Sequence, residues 1–97
     1  MNDAKALALL KSGDQEALAW FIDKYSAYVG TVVNSILSGA MSHEDVEEVT
    51  ADVFVTLWRS ADNLIPLNLK GYLSRVARSL SMQKLRERFE VLPLDED

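Results

Sequence analysis

The sequence predicts an all-α domain, a compact bundle of three main helices preceded by a short N-terminal helix. Apolar residues recur at helical spacing along nearly the whole chain. Gly13, Gly39 and Pro66 divide this pattern into segments, and no segment shows the alternation and tight turn of a strand hairpin. With 97 residues, of which 48% are hydrophobic, the chain can bury one core but not two.

Gly13 separates the first two predicted helices. The first extends from about Asp3 to Ser12 and ends there because glycine readily adopts the left-handed conformation that follows a helix end. Asp14 can cap the second helix, which extends to about Ser38. Its predicted core face consists of Leu18, Phe21, Ile22, Tyr25, Tyr28, Val29, Val32, Val33 and Ile36.

The third helix is predicted from about His43 to Asp62, after the break at Gly39. Ser42 can cap it, and Asp45 at the third helical position is close to a capping box. Its predicted inner stripe consists of Val46, Val49, Val53 and Leu57, flanked by Phe54 and Trp58.

A loop over 63–68 follows, because Pro66 lacks a backbone donor and restricts the residue before it. Asn68 can cap the fourth helix, which extends to about Phe89. We therefore expect one domain over 1–89 and the start of an acidic linker or tail over 90–97.

The net charge of −5 hides an uneven distribution along the chain. Residues 1–63 carry four basic and ten acidic side chains, whereas residues 64–89 carry six basic side chains and one acidic. The last eight residues carry four acidic side chains. A basic segment between two acidic ones indicates two different partners.

Several function classes have no support in the sequence. The chain has no cysteine, and its only histidine, His43, lacks the Glu-x-x-His partners of a carboxylate-bridged metal site. No nucleophile elbow or phosphate-binding glycine loop is present. We therefore expect no catalytic residue, metal or cofactor. The sequence shows no signal peptide or membrane span, so a cytoplasmic location without a membrane partner is expected.

Two charged helix faces are candidate binding surfaces. On the fourth helix, Arg75, Arg78 and Arg86 project within a sector of about 80°, which suits a phosphate backbone. The third helix presents an exposed ridge at i, i+4, i+7 and i+11 spacing, which could meet a basic helix of another protein; its residues are Glu48, Asp52, Val55 and Arg59. Either face could instead be simply solvated.

Three stretches resemble region 2 of extracytoplasmic-function sigma factors, which are members of the sigma-70 family. Residues 13–25 resemble the family's GD-x-x-AF…Y pattern, and residues 45–59 resemble its D-A-E-D-L-V-Q-E-V-F-L-x-L-W-R helix. Residues 71–86 resemble A-W-L-Y-R-I-A-R-N-L followed by L-R. Order and spacing agree, and the resemblance covers roughly residues 5–89.

The resemblance implies a transcription initiation domain with two partners. One is RNA polymerase core, whose β′ clamp helices would dock on Glu48, Ala51, Asp52, Val55 and Arg59. The other is the non-template strand of the promoter minus-10 element, which the domain would recognise and melt. The residues implied for the strand are Asn63, Asn68, Lys70, Tyr72, Arg75, Arg78, Ser79 and Arg86. An anti-sigma factor is a further partner of the family, and the free domain is expected to be a monomer.

Some positions depart from the family pattern. Ala51 replaces the usual glutamine, Tyr72 the usual tryptophan and Ser79 the usual asparagine. These changes leave open the alternative that the chain is a sigma-like helical regulator, which binds proteins without productive promoter binding. An unrelated small helical adaptor is the other alternative. The family's region 4 has no counterpart in these residues, so we expect the chain to be a fragment of a longer factor.

Overall fold

The computed structural model describes residues 1–91, with side chains described as far as Phe89. The elements are helices α1 Asp3–Lys11, α2 Gln15–Leu37, α3 His43–Ser60 and α4 Leu69–Val91, with a short 3-10 turn, Ala61–Asn63, after α3. The prediction of an all-α domain with three main helices and a short leading helix is confirmed. Helix α4 continues two residues into the predicted linker or tail over 90–97, and the rest of that segment lies outside the described residues.

The predicted caps of α2 and α3 are both present. The Asp14 carboxylate accepts a hydrogen bond from the Glu16 N–H at 2.9 Å. Ser42 and Asp45 form a complete capping box, in which the Asp45 N–H donates to the Ser42 hydroxyl and the Ser42 N–H donates to the Asp45 carboxylate. Hydrogen bonds from the Ser42 hydroxyl and backbone N–H lower the pKa of the Asp45 carboxyl. These local bonds fix where each helix begins.

One core joins all four helices, and α2 is at its centre because it packs against each of the other three. Phe21, Val29 and Val33 of α2 are fully buried, together with Leu57 of α3 and Leu73 of α4. Burying a side chain of this size stabilises the fold by about 1.5–3 kcal/mol. The core therefore holds the outer faces of α3 and α4 in fixed positions.

Two details of the predicted core were wrong. Ile22 was placed on the inner face of α2 but is 37% exposed, because the buried residues Phe21, Tyr25 and Val29 form a narrower stripe. On α4 the sequence pattern missed Ser81, which is fully buried. Its hydroxyl makes no hydrogen bond within the part of the chain that the structure describes.

Helix α1 is attached to α2 by a polar cluster as well as by the core. The Asp3 carboxylate accepts hydrogen bonds from the Lys24 ammonium, at 2.8 Å, and from the Tyr25 hydroxyl. Partial burial raises the pKa of Asp3, but these two hydrogen bonds outweigh that effect and lower it below its usual value. In residues 1–91, none of the helices combines the length and apolar character that a membrane crossing requires.

Candidate functional site

A groove opens between the loop that follows α3 and the first half of α4. Its volume is about 610 Å³, and we refer to it as the loop–α4 groove. Its lining residues are Asn63, Leu64, Ile65, Leu67, Asn68, Leu69, Gly71, Tyr72, Ser74, Arg75 and Arg78. Five of the eight residues predicted to bind a DNA strand lie here: Asn63, Asn68, Tyr72, Arg75 and Arg78.

The two walls of the groove differ in chemistry. The loop contributes apolar side chains with large exposed fractions, 65% for Ile65 and 76% for Leu67. Helix α4 contributes the half-buried ring of Tyr72 and the exposed guanidinium groups of Arg75 and Arg78. Among the described residues neither arginine forms a salt bridge, so both remain available to an anion. The groove thus combines flat apolar surface with two cations.

The loop is held in place by a contact that is distant in sequence. The Lys11 ammonium at the end of α1 donates a hydrogen bond of 2.6 Å to the Leu64 carbonyl. The Leu64 N–H donates to the Ala61 carbonyl at 3.1 Å, which closes the 3-10 turn. These two bonds satisfy both backbone groups of Leu64 at the start of the loop. Lys11 does not line the groove, and the sequence analysis did not select it.

Asn68 ends the loop and begins α4 in an unusual backbone conformation. Its φ angle is +57°, in the left-handed region that asparagine tolerates better than most residues. Its side-chain oxygen accepts a hydrogen bond from the Gly71 N–H at 3.1 Å. The predicted cap is therefore present. The side chain folds back over the first turn of α4, where it lines the groove.

Three of the predicted strand-binding residues lie outside the groove. Lys70 is about 140° around the helix from Arg75, on the ideal helical spacing, and its ammonium lies 4.5 Å from the centre of the Tyr28 ring. Ser79 is exposed on α4 beyond the groove. Arg86 is exposed about 12 Å farther along the helix than Arg78. Ser74, which was not among the predicted strand-binding residues, also lines the groove.

In the second half of α4, Lys84 is already engaged by acidic side chains of α3. The Lys84 ammonium is 3.3 Å from a Glu48 carboxylate oxygen and 4.0 Å from an Asp45 oxygen, both on α3. The hydrogen bond to Glu48 raises the pKa of Lys84 above its usual value. This lysine therefore joins α4 to α3.

The predicted docking ridge on α3 consists of the four ridge residues and Ala51, and it faces outward over its whole length. All five side chains are exposed, and they are Glu48, Ala51, Asp52, Val55 and Arg59. Val55 is 42% exposed, a large fraction for an apolar side chain in the middle of a helix. Among these five residues, Glu48 already forms an ion pair, with Lys84 of α4.

A second, more apolar groove lies beside the ridge, between α2 and α3. Its volume is about 780 Å³, and Ala51 and Val55 of the ridge form part of its wall. Ile22 contributes to the opposite wall, which explains its exposure. The ridge is therefore one edge of a wider surface. In the sequence, this wider surface is indicated by the apolar stripe on α2, because that stripe is wider than a fully buried helix face needs.

His43 lies at the exposed start of α3. Its imidazole is highly exposed and lies 3.5 Å from the Glu47 carboxylate, one turn along the same helix. Within the described residues, no group of three or more histidine and acidic side chains could hold a metal ion.

No family model matches the chain, but the chain is similar to a curated protein in sequence and to a solved structure in fold. Over 90 residues the chain is 27% identical to the ECF RNA polymerase sigma factor SigE of Mycolicibacterium smegmatis, a match that covers 89% of this chain and 35% of that protein. The fold matches the NMR structure of an engineered region 2 of sigmaE in complex with GTAAAA, with a TM-score of 0.85 and 21% identity. That match covers 97% of this chain and 96% of the other.

The chain has the fold of sigma factor region 2. The resemblance to extracytoplasmic-function sigma factors that the three motifs indicated is confirmed by the sequence match, and the structural match shows the fold. The region 2 match includes both the loop–α4 groove and the docking ridge, since it covers nearly the whole chain. The chain spans about a third of the length of the curated sigma factor that it matches.

Proposed function

We propose that this region 2 domain takes part in transcription initiation by capturing the unpaired non-template strand of a promoter minus-10 element. The observation that carries the proposal is the loop–α4 groove, in which Tyr72 lies beside two guanidinium groups without ion pairs among the described residues. The structural relative was solved in complex with GTAAAA, and we extend that class of ligand to this chain.

Strand capture in such a groove combines two interactions. Arg75 and Arg78 neutralise backbone phosphates, because a guanidinium group can donate two parallel hydrogen bonds to one phosphate. The ring of Tyr72 and the apolar loop side chains cover the face of an unstacked base, a contact worth about 1–3 kcal/mol per base on an aromatic ring. This binding energy offsets the few kcal/mol that unstacking a base costs. The proposed melting therefore needs no catalytic residue.

The second part of the proposal concerns protein docking. We infer that the clamp helices of the polymerase β′ subunit dock on the α3 ridge, whose exposed acids and Val55 suit a partner helix with basic and apolar side chains. A domain with these two partners acts in the bacterial cytoplasm. An anti-sigma factor, if one exists for this chain, would have to cover one of these two surfaces to block the function.

The docking proposal is tested with Asp52→Arg, because Asp52 is exposed on the ridge and its replacement leaves the core intact. We expect this variant to bind a β′ clamp-helix fragment at least about tenfold more weakly than the unmodified chain, since a charge reversal places like charges in contact. The matched control is Asp23→Arg on α2, which makes the same charge change at an exposed site off the ridge. Equal binding by both variants would contradict the assignment of the ridge.

The alternatives left open by the sequence make a different prediction for DNA. A sigma-like regulator without promoter binding, or an unrelated helical adaptor, would show no salt-dependent binding to single-stranded promoter DNA. The sequence and fold similarities do not favour either alternative. Titration of the chain with a labelled minus-10 strand at several salt concentrations separates them from strand capture.

A further inference from the structure

The face of α4 that carries the groove arginines continues beyond the loop–α4 groove. At the 100° per residue of an ideal helix, the side chains that project within one sector of about 80° are Arg75, Arg78, Met82, Arg86 and Phe89. One unbroken helix, α4, carries all five. The groove ends at Arg78, so Met82, Arg86 and Phe89 form a separate tract on the same face. We refer to these three residues as the outer tract.

Both apolar side chains of the outer tract are in contact with solvent. Met82 is 47% exposed and Phe89 is 58% exposed, more than any other aromatic side chain in the described part of the chain. On the opposite side of the helix, Leu73 and Ala77 are fully buried, so the core holds this face outward. A single exposed apolar residue needs no explanation, but here two of them share one face with three arginines.

The electrostatics of the outer tract favour an anionic partner. Arg86 lies between Met82 and Phe89 along the helix, and it forms no salt bridge among the described residues. In the described part of α4 the only acidic side chain is Glu87, which lies about 140° around the helix from Met82 and accepts a hydrogen bond from Gln83. Proteins bind single-stranded nucleic acid with this combination, because cations contact phosphates while aromatic rings stack on bases.

We propose that the outer tract is a second subsite for the captured strand, in which the Phe89 ring stacks on a base and Arg86 contacts a neighbouring phosphate. The inference rests on the proposed strand capture and extends it beyond the groove. A nucleic acid strand is the occupant that the surface favours, because the outer tract continues the face that lines the groove and its free charge is positive.

The two subsites need strands of different length. At 1.5 Å per residue, the groove extends about 15 Å along α4, from Asn68 to Arg78, and Phe89 lies about 16 Å farther. At 3.4 Å per nucleotide, a hexamer spans about 20 Å, whereas about eleven nucleotides span both subsites. The hexamer GTAAAA therefore reports on the groove, and a longer strand reports on the groove and the outer tract together.

The test measures dissociation constants by fluorescence anisotropy for GTAAAA and for two longer strands, which carry about five additional thymidines at the 5′ or at the 3′ end. Phe89→Ser removes the exposed ring, and Phe89→Trp keeps an aromatic ring at the same place. The matched control is Ile22→Ser, which removes a partly exposed apolar side chain from α2. Circular dichroism confirms that each variant is folded.

We expect one of the two extensions to tighten binding by the unmodified chain by about fivefold or more, the effect of stacking one base on an aromatic ring. Phe89→Ser should lose this gain and still bind GTAAAA as the unmodified chain does. Phe89→Trp and Ile22→Ser should keep the gain. Arg86→Gln should reduce the salt slope by about 0.7 for the extended strand alone.

The inference is overturned, and the proposed function stands, if GTAAAA binds but neither extension adds affinity, or if Phe89→Ser keeps the full gain. Sedimentation then shows whether Phe89 instead joins two copies of the chain, since Phe89→Ser would abolish a dimer that the unmodified chain forms. If the unmodified chain binds none of the strands, the proposed function fails and this inference fails with it.

Discussion

Basic side chains from the two halves of helix α4 differ in whether an acidic group of α3 pairs with them. In the first half, Arg75 and Arg78 line a groove and have no ion pair among the described residues. In the second half, Lys84 lies against α3 and is paired with Glu48 and Asp45. A count of basic residues along the helix would treat the two halves alike. The difference shows that charge is available to a partner only where the neighbouring helix has no acid to neutralise it.

The largest effect is expected from Arg75→Gln combined with Arg78→Gln. Loss of two phosphate contacts should lower the affinity for a single-stranded minus-10 oligonucleotide by about tenfold or more at low salt. It should also reduce the slope of log affinity against log salt by about 1.4, at about 0.7 for each phosphate contact. Anisotropy titrations at four or more salt concentrations measure both quantities.

Lys84→Gln is the control for that pair, because it removes a basic charge of α4 that is already paired with acidic side chains of α3. Its salt slope should remain close to that of the unmodified chain. If Lys84→Gln changed the salt slope as much as the loss of one groove arginine, the distinction between the paired and the unpaired basic groups of α4 would be wrong.

An intermediate effect is expected from Lys11→Met, which removes the hydrogen bond to the Leu64 carbonyl while keeping most of the side-chain length. The loop wall of the groove should become less well fixed, and strand affinity should fall by about threefold to tenfold, as for the loss of one hydrogen bond worth about 1 kcal/mol. The control is Lys5→Met, which removes the same charge from an exposed position on α1. If the two variants lose affinity equally, the loss comes from long-range electrostatics. The hydrogen bond between Lys11 and the Leu64 carbonyl is then unimportant for strand binding.

The smallest effect is expected in the stability of Lys84→Gln. Partly exposed ion pairs contribute up to about 1 kcal/mol, so chemical denaturation should show a loss in the free energy of unfolding within that limit. A double-mutant cycle with Glu48→Gln measures the coupling between the two side chains. A coupling energy of zero would mean that Lys84 lies beside α3 without stabilising its position.

The fold was predictable because its signals are local. Asp14, Ser42 and Asp45 cap helices through bonds to residues two or three positions away, and apolar spacing defines the inner faces of the helices. The motifs that indicated region 2 also depend on spacing within single helices. Each of these signals can be read from neighbouring residues, and the structure agrees with them to within one or two residues at most helix ends.

The candidate site was less predictable because it depends on contacts between distant segments. No local pattern could show that Lys11 reaches the carbonyl of a residue 53 positions later, or that Lys70 turns toward Tyr28. The pairing of Lys84 with α3 is equally invisible in the α4 sequence. The sequence shows which helix face is basic. It could not show which of those basic groups already have partners.

The contact between Lys11 and the loop has a consequence for how the domain can be divided. None of the residues of α1 lines the loop–α4 groove, so a deletion experiment guided by the groove alone would discard this helix. Yet α1 fixes the loop through Lys11 and contributes Leu7 and Leu10 to the core. A fragment made from α3, the loop and α4 would therefore lack the hydrogen bond that supports the loop wall of the groove. The working unit for this chain begins with the first helix.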